Sequence, residues 1–276
     1  MPELPEVQTV VNHLNKKIVG QKIINLEILQ EKMIKNISIT DFKAVLIGSI
    51  IQNIDRVGKY LIFHLDNGYV MVSHLRMEGK YLIRDFEDIE PLAMKHVHII
   101  FTLEKFNLCY HDTRKFGTFT LYESSDFLNS KELSKIAIDP LNDGFDYEYL
   151  FSKINKSKKP IKTLLLGQEL VSGIGNIYVC EILFSARVSP FKLGSLVSEQ
   201  ECKLIVKESK RILKLAIEKN GTTVSSFSFD NNHAGTFQDF LNVYGKQKLP
   251  CSNCNSKIVK DYISKRGTYF CNNCQK

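Results

Sequence analysis

From Pro5 onward, Val7, Val10, Val11, Leu14 and Ile18 recur every three to four positions and Gly20 follows them, so residues 5–19 are predicted to form an amphipathic helix. The period then drops to two. Strands are predicted at 22–30 and 44–52, then at Tyr60 to Leu65 and Tyr69 to His74, the last two joined across Asn67-Gly68, a strong hairpin signal. Further strands at 80–84, 97–103, 106–111 and 117–122 make this half a β-sandwich or barrel with one added helix. Beyond about residue 130 the helical period returns. Pro160 can open a helix to about Leu170, Gly173 and Gly175 break it, and Asn176 to Ala186 read as a second helix ending before Pro190. Ser198 with Glu201 forms a capping box for a third, whose Leu204, Ile205, Ile212, Leu215 and Ala216 keep the period until Asn220-Gly221. Residues 222–237, rich in Ser, Thr, Asn, Phe and Gly, read as a loop of the kind that closes over a ligand. The chain should end in a hairpin, with strands at Ile258-Val259 and Tyr269-Phe270 and Arg266-Gly267 near the turn.

The predicted class is therefore α+β and multidomain. An N-terminal β-sandwich with its helix would occupy 1–130, a helical domain 131–245, and the hairpin module 246–276. With 276 residues and 43% apolar content, the chain can build more than one core. No run approaches the ~20 apolar residues of a membrane span. The first twenty residues carry acids and prolines where an export signal needs basic and then apolar stretches, so a cytoplasmic location with no membrane partner is expected.

Charge narrows the partner. The formal net charge is +7, with the excess concentrated at 246–276, and Lys153, Lys156, Lys158, Lys159 and Lys162 form a second basic block. A polyanion is the expected partner, although charge alone equally describes a solvated basic face. Four of the seven cysteines, Cys251, Cys254, Cys271 and Cys274, read C-x2-C, sixteen residues, C-x2-C, the spacing of a four-thiolate structural zinc site. Two disulfides are the competing arrangement, and a reducing compartment disfavours them. Cys109, Cys180 and Cys202 lie in apolar segments and are expected in the core.

The second residue carries the chemistry. If Met1 is removed, Pro2 presents a secondary α-amine next to the carboxylate of Glu3. Such an amine titrates near ~8, against ~10.4 for lysine, so far more of it is unprotonated at neutral pH. Attack by a secondary amine on a sugar C1′ gives an iminium with no N–H proton to lose, which stays cationic. Pro5 and Glu6 would equally suit the first turn of any helix.

Six segments in order, PELPEV at 2–7, RVGKYL at 56–61, HLRMEG at 74–79, DTRKFG at 112–117, SGIGNIY at 172–178 and the zinc hairpin with SKRGTYFC, resemble the bacterial formamidopyrimidine-DNA glycosylases. The resemblance covers the whole chain. It implies a helix-two-turn-helix domain in the second half, one structural Zn2+, and a monomer acting on damaged double-stranded DNA at the bacterial nucleoid. The implied activity is base-excision repair: oxidised purines such as 8-oxoguanine and formamidopyrimidines are removed through a Schiff base on Pro2, and the strand is then nicked by β,δ-elimination. In that scheme Glu3 protonates the sugar oxygen and Glu6 shapes the base pocket or positions water. Lys59 acts in β-elimination and holds a phosphate, and Arg266 grips the flipped nucleotide's phosphates. An always-charged guanidinium is a poor proton donor, so the role of Arg266 is electrostatic. A base inside a duplex must be extruded to be reached, and Met77, Arg114 and Phe116 match the family's wedge. Asn176, at a helix start, suits a phosphate, and His74, His96, Lys115 and Lys158 carry over as backbone contacts.

Two residues depart from the family pattern. Gln8 stands where Glu is common, and Gly167 where Asp is common, which puts in doubt the packing of the first helix and the support of the Asn176 turn. Within a helix Gly167 should cost up to about 1 kcal/mol. Two other functions remain open: an endonuclease VIII-like glycosylase for oxidised pyrimidines, against which Leu4 and the wedge set argue, and a non-catalytic zinc-ribbon DNA-binding protein.

Overall fold

A computed structural model of the chain describes residues 1–87, 95–222 and 235–276. These fall into two compact units, one built on Met1–Ser134 with the described ends of Asn220–Gly235, the other on Lys135–Lys219 and Thr236–Lys276.

The first unit is a sandwich of two antiparallel four-stranded sheets. One runs β1-β6-β7-β5 (Ile23–Ile28, Val97–Leu103, Asn107–His111, Lys80–Arg84), the other β2-β3-β4-β8 (Ile51–Val57, Tyr60–Leu65, Tyr69–His74, Thr118–Glu123). Both give one face to a shared core, in which Leu26, Phe101 and Tyr110 of the first sheet join Ile54, Phe63 and Phe119 of the second. Helix α1 (Leu4–Ile18) inserts Val7, Val10, Val11, Leu14 and Ile18 into that core, the periodic set its sequence announces.

One predicted strand is wrong in part. Residues 39–46 form helix α2 (Ile39–Leu46), and β2 begins only at Ile51. Ser38 accepts a hydrogen bond from the Asp41 amide as N-cap, and Phe42 and Leu46 bury at i, i+4 spacing. The β-branched run after it hides this start signal.

The connections between the sheets matter for the site. Residues 75–79 carry the chain from β4 of one sheet to β5 of the other, and 112–117 return it from β7 to β8. Both crossovers close on the Tyr110 side chain: a Cβ on Gly79 would fall 2.1 Å from its hydroxyl, and one on Gly117 1.9 Å. Only glycine fits either position. Gly117→Ala should therefore lower the melting temperature by an overpacking cost of about 1–3 kcal/mol and displace the 112–117 loop; thermal unfolding that matches the wild type would show that Tyr110 gives way.

The second unit is helical. It comprises α3 (Tyr147–Ile154), α4 (Ile161–Leu166), α5 (Asn176–Ser185) and α6 (Glu199–Glu218), and ends in a two-stranded hairpin, β9 (Val259–Ile263) with β10 (Arg266–Phe270). Helix α3, capped by Asp146, is absent from the sequence prediction. The predicted capping box Ser198–Glu201 opens α6. Gly167 proves to be the C-cap of α4, not an interior residue, so the helix-interior cost does not apply. The hairpin turn lies at Ser264-Lys265, both in left-handed backbone (φ 49° and 61°), and Arg266 opens β10 next to the turn, as the sequence reading expects. Most of the predicted 222–237 loop lies outside the described residues. Among the described residues, no helix is long and apolar enough to cross a membrane.

Candidate active site

The start of α1 organises the candidate residues of the first unit. Glu3 is the N-cap, and Glu6, at the third helical position, accepts the Glu3 amide at 2.9 Å in a capping box. The other Glu6 oxygen accepts the Thr222 amide at 2.8 Å and its hydroxyl at 3.1 Å. Glu6 thus ties the chain start to Thr222, the first residue of the 222–237 segment. Close by, Gly221 (φ +76°) leaves no room for a Cβ, which would fall 2.8 Å from a Glu6 oxygen. Pro2, Glu3, Glu6 and Lys59 are all buried.

Lys59 reaches this place through a tight turn. Val57 pairs with Tyr60 across Gly58-Lys59, and Gly58 takes the positive φ (58°) that a two-residue Gly-X hairpin loop uses. The field around the Met1 α-amino group is mixed. Burial is the largest influence and lowers its pKa from the ordinary value, Lys59 lowers it further, and Glu3, Glu6 and Glu78 pull the other way. The net result is a Met1 amine that gives up its proton more readily.

The chain start opens into a cavity of about 500 Å³ that Met1 shares with Lys35, Arg76, Met77, Lys115 and Phe116. Met77 and Phe116 are exposed, at 38% and 51%, and both line this cavity. Arg114 lies 4.7 Å over the Phe116 ring. Asp112, fully buried, holds their loop in shape by accepting the amides of Arg114, Phe116 and Gly117 at 2.8–3.0 Å. Its own amide donates to the His96 carbonyl, and its carbonyl meets His98 Nε2 at 2.8 Å. The DTRKFG motif is legible in the sequence, but the anchoring role of its Asp is not. An Asp followed by Gly five residues on is the only local sign.

His74 is buried rather than presented as a cation. Its Nδ1 accepts the Arg76 amide at 2.8 Å, Tyr60 packs edge-on at 4.5 Å, and burial, with Arg76 and Lys59, pushes its pKa down to about 3. The neutral ring can donate only from Nε2. His111 is lowered to about 4, again by burial first and then by Lys80 and neighbouring histidines. The unfolded chain binds protons at these histidines near pH ~6.5 and the folded one does not. Stability from keeping them neutral is complete above that pH and is lost as pH falls toward 4 and then 3. Melting temperature should drop across this window, and His74→Gln should flatten the drop; an equal slope in that variant would contradict the assignment.

The second unit presents the other candidate residues. Asn176 is the first residue of α5, and its Nδ2 donates to the Gly267 carbonyl at 3.0 Å. Lys162, read from sequence as part of a basic surface block, is fully buried and donates to the same carbonyl at 3.0 Å and to the Thr268 hydroxyl at 2.8 Å. The two side chains clasp the strand residue next to Arg266, which stays exposed. Lys158 is also exposed. The glycine turn before Asn176 is supported by Gln168, whose amide accepts from Gly173 N–H at 2.8 Å and donates to the carbonyls of Leu166 and Ile174. Gln168 thus supplies the turn with support next to the Gly167 departure.

Glu181 was missed altogether. Buried on α5, it accepts the amides of Asn242, Val243 and Tyr244 at 2.8–2.9 Å, fixing the approach to the hairpin. The thiols of Cys251, Cys254, Cys271 and Cys274 lie within 4.8 Å of one another, a group able to hold a metal ion. Gln275 locks this knuckle by accepting the Cys271 amide and donating to the Val188 carbonyl, both at 2.9 Å.

Comparison with known proteins agrees with this architecture. Residues 1–119 match the formamidopyrimidine-DNA glycosylase N-terminal domain and 136–228 the formamidopyrimidine-DNA glycosylase H2TH domain. The chain is 46% identical to the formamidopyrimidine-DNA glycosylase of Ureaplasma parvum, with 100% of both covered. It is 45% identical to that of Streptococcus mutans, again with 100% of both covered. A Lactococcus lactis FPG variant in complex with Fapy-dG-containing DNA is similar in structure, with TM-score 0.94 and 39% identity over 100% of both chains. The wild-type Lactococcus lactis protein bound to DNA containing an oxidized pyrimidine gives 0.92 at 39%, also over 100% of both.

Proposed function

The chain belongs to the formamidopyrimidine-DNA glycosylase family, and on that premise we propose that it excises oxidised purines from duplex DNA and then cuts the strand at the same site. The observation that carries this reading is the buried amino-terminal cluster of Pro2, Glu3, Glu6 and Lys59, which directly follows or faces Met1, itself in the lining of the cavity that Met77 and Phe116 share.

With Met1 removed, the Pro2 nitrogen attacks C1′ of the extruded nucleotide and the C1′–base bond breaks with its electron pair on the base, which takes up the proton that the Pro2 nitrogen gives up. Glu3 delivers a proton to the ring oxygen, which opens the sugar and leaves an iminium between Pro2 and C1′. Loss of a C2′ proton to a base then expels the 3′ phosphate, and a second elimination expels the 5′ phosphate. Water finally releases Pro2. Lys59 and Arg266 hold the phosphates, with Asn176, His74, His96, Lys115 and Lys158 along the backbone. His74 acts there as a neutral donor. Met77 and Phe116 fill the gap left in the stack, and Arg114 hydrogen-bonds the orphaned base.

We assign a structural zinc to the four cysteines. A tetrahedral ion with Zn–S near ~2.3 Å puts its sulfurs about 3.8 Å apart, and the Cys251–Cys274 and Cys254–Cys271 sulfurs stand at 3.8 and 3.5 Å. A disulfide would need ~2.05 Å. The ion would order the hairpin carrying Arg266 and take no part in bond cleavage.

The Lactococcus lactis complex with an oxidized pyrimidine supports a second substrate class beside the first. Single-turnover cleavage of duplexes bearing 8-oxoguanine opposite cytosine or thymine glycol opposite adenine tests the order. Faster cutting of the purine lesion is expected, and a clear preference for thymine glycol would replace this reading with the pyrimidine one. The expected place of action is the bacterial nucleoid.

A further inference from the structure

Helix α1 and strand β2 are joined by two rungs of side-chain hydrogen bonds. In the first, Asn15 Nδ2 donates to the Ile54 carbonyl at 2.6 Å while its Oδ1 accepts the Ile54 amide at 2.9 Å. In the second, Arg56 Nε donates to Gln8 Oε1 at 3.0 Å, and the Gln8 amide nitrogen is itself held by Asn12 Oδ1 at 2.9 Å. Gln8 and Asn15 lie seven residues apart, so one helix face carries both rungs.

The same Arg56 makes a third connection. Its Nη1 donates to the Gly58 carbonyl at 2.9 Å. That carbonyl belongs to the peptide unit whose nitrogen is Lys59. A guanidinium is planar and presents its donors in a fixed fork, so two donors held in place fix the orientation of whatever they hold. Gln8 sits in the second turn of the helix that begins at the chain start, and Gly58-Lys59 is the turn that delivers the buried Lys59.

We propose that Arg56, braced on Gln8, is a positioning residue: it sets the Gly58–Lys59 peptide against α1 and thereby aims the Lys59 ammonium at the reacting sugar and its phosphate. The inference rests on the proposed place of Lys59 in the active site. A lysine side chain has four rotatable bonds and strong hydration, so its reach is set chiefly by where its backbone is held. Gln8 supplies the needed acceptor without a charge of its own, which answers the question its departure from the family pattern raises. The brace borders an open groove of about 440 Å³ also lined by Asn12, Asp55, His64 and Phe127.

The test uses the full-length, Met1-processed protein on a duplex carrying a preformed abasic site, in single turnover with binding measured alongside. Arg56→Met and Gln8→Ala should each slow strand cleavage ten- to a hundredfold, the scale of a misplacement near 1 Å, with duplex Kd changed far less. Gln8→Glu keeps the acceptor and should retain most of the rate. Combining Arg56→Met with Lys59→Ala should be no slower than Lys59→Ala alone, because both act through one ammonium. Wild-type cleavage by Arg56→Met and Gln8→Ala, or losses that multiply with Lys59→Ala, would overturn the proposal. Wild-type cleavage by Lys59→Ala would instead remove the reading of Lys59 beneath it. Should Arg56→Met prove unstable on melting, Gln8→Ala and its Glu counterpart decide the question.

Discussion

Exchange of Cys271 for serine is expected to lower affinity for lesion-bearing duplex by at least about a hundredfold while the sandwich unit stays folded. Cys271 is fully buried in the four-sulfur group, and its amide is one of the bonds locking Gln275. A lone two-stranded hairpin is marginal in water. The proposed zinc would then add to the clasp of Lys162 and Asn176 in holding the hairpin, structural zinc supplying about 10–16 kcal/mol of binding. Losing one ligand releases β9 and β10, removes the strand that Lys162 and Asn176 clasp, and takes Arg266 out of reach of any phosphate. Zinc content measured by mass spectrometry should fall from one per chain toward none, in step with Kd by fluorescence anisotropy. Native affinity in a metal-free variant would refute the structural role.

The second large effect separates the two halves of the chemistry. Glu3→Gln should slow base removal by about 10²–10⁴-fold, the usual contribution of a positioned proton donor, yet cut a preformed abasic site with a far smaller loss. An abasic sugar already spends part of its time ring-opened, so the amine can condense with its aldehyde without help at the ring oxygen. Gln can still accept the amide that Glu3 receives in the capping box, and the Glu3 amide still donates to Glu6, so helix α1 keeps its cap. Equal losses on both substrates would show that Glu3 serves geometry and not proton transfer.

What could be read from the sequence was what is written locally. The heptad-like spacing of α1, the Asn67-Gly68 hairpin, the Ser198–Glu201 box and the paired cysteines each carry their cause within a few residues, and each stands where it was expected. The motifs that carry the resemblance also fall at turns: 56–61 at the β2–β3 hairpin, 74–79 and 112–117 at the two crossovers, and 172–178 at the start of α5. What escaped depends on partners far away in the chain. Lys162 looks like a surface lysine until Gly267 and Thr268, more than a hundred residues on, are seen to accept its ammonium. Glu181 sits in an apolar helix, with its three amide donors about sixty residues away. The neutrality of His74 follows from burial that only the folded sandwich creates. Helix α2 was missed because β-branched residues after it blurred the boundary, and the role of Gly167 changed once α4 was seen to end there.

Every step proposed for this chain passes through one covalent bond between the Pro2 nitrogen and C1′. The direct measurement is borohydride trapping on 8-oxoguanine duplex, followed by proteolysis and mass spectrometry of the cross-linked peptide. Reduction should freeze the iminium as a stable amine, and the modified peptide should begin at Pro2, with Met1 absent and the DNA adduct on its N-terminal nitrogen. A Met1-processed protein that cuts the duplex but yields no trapped complex, or one trapped through Lys59 instead, would contradict the account.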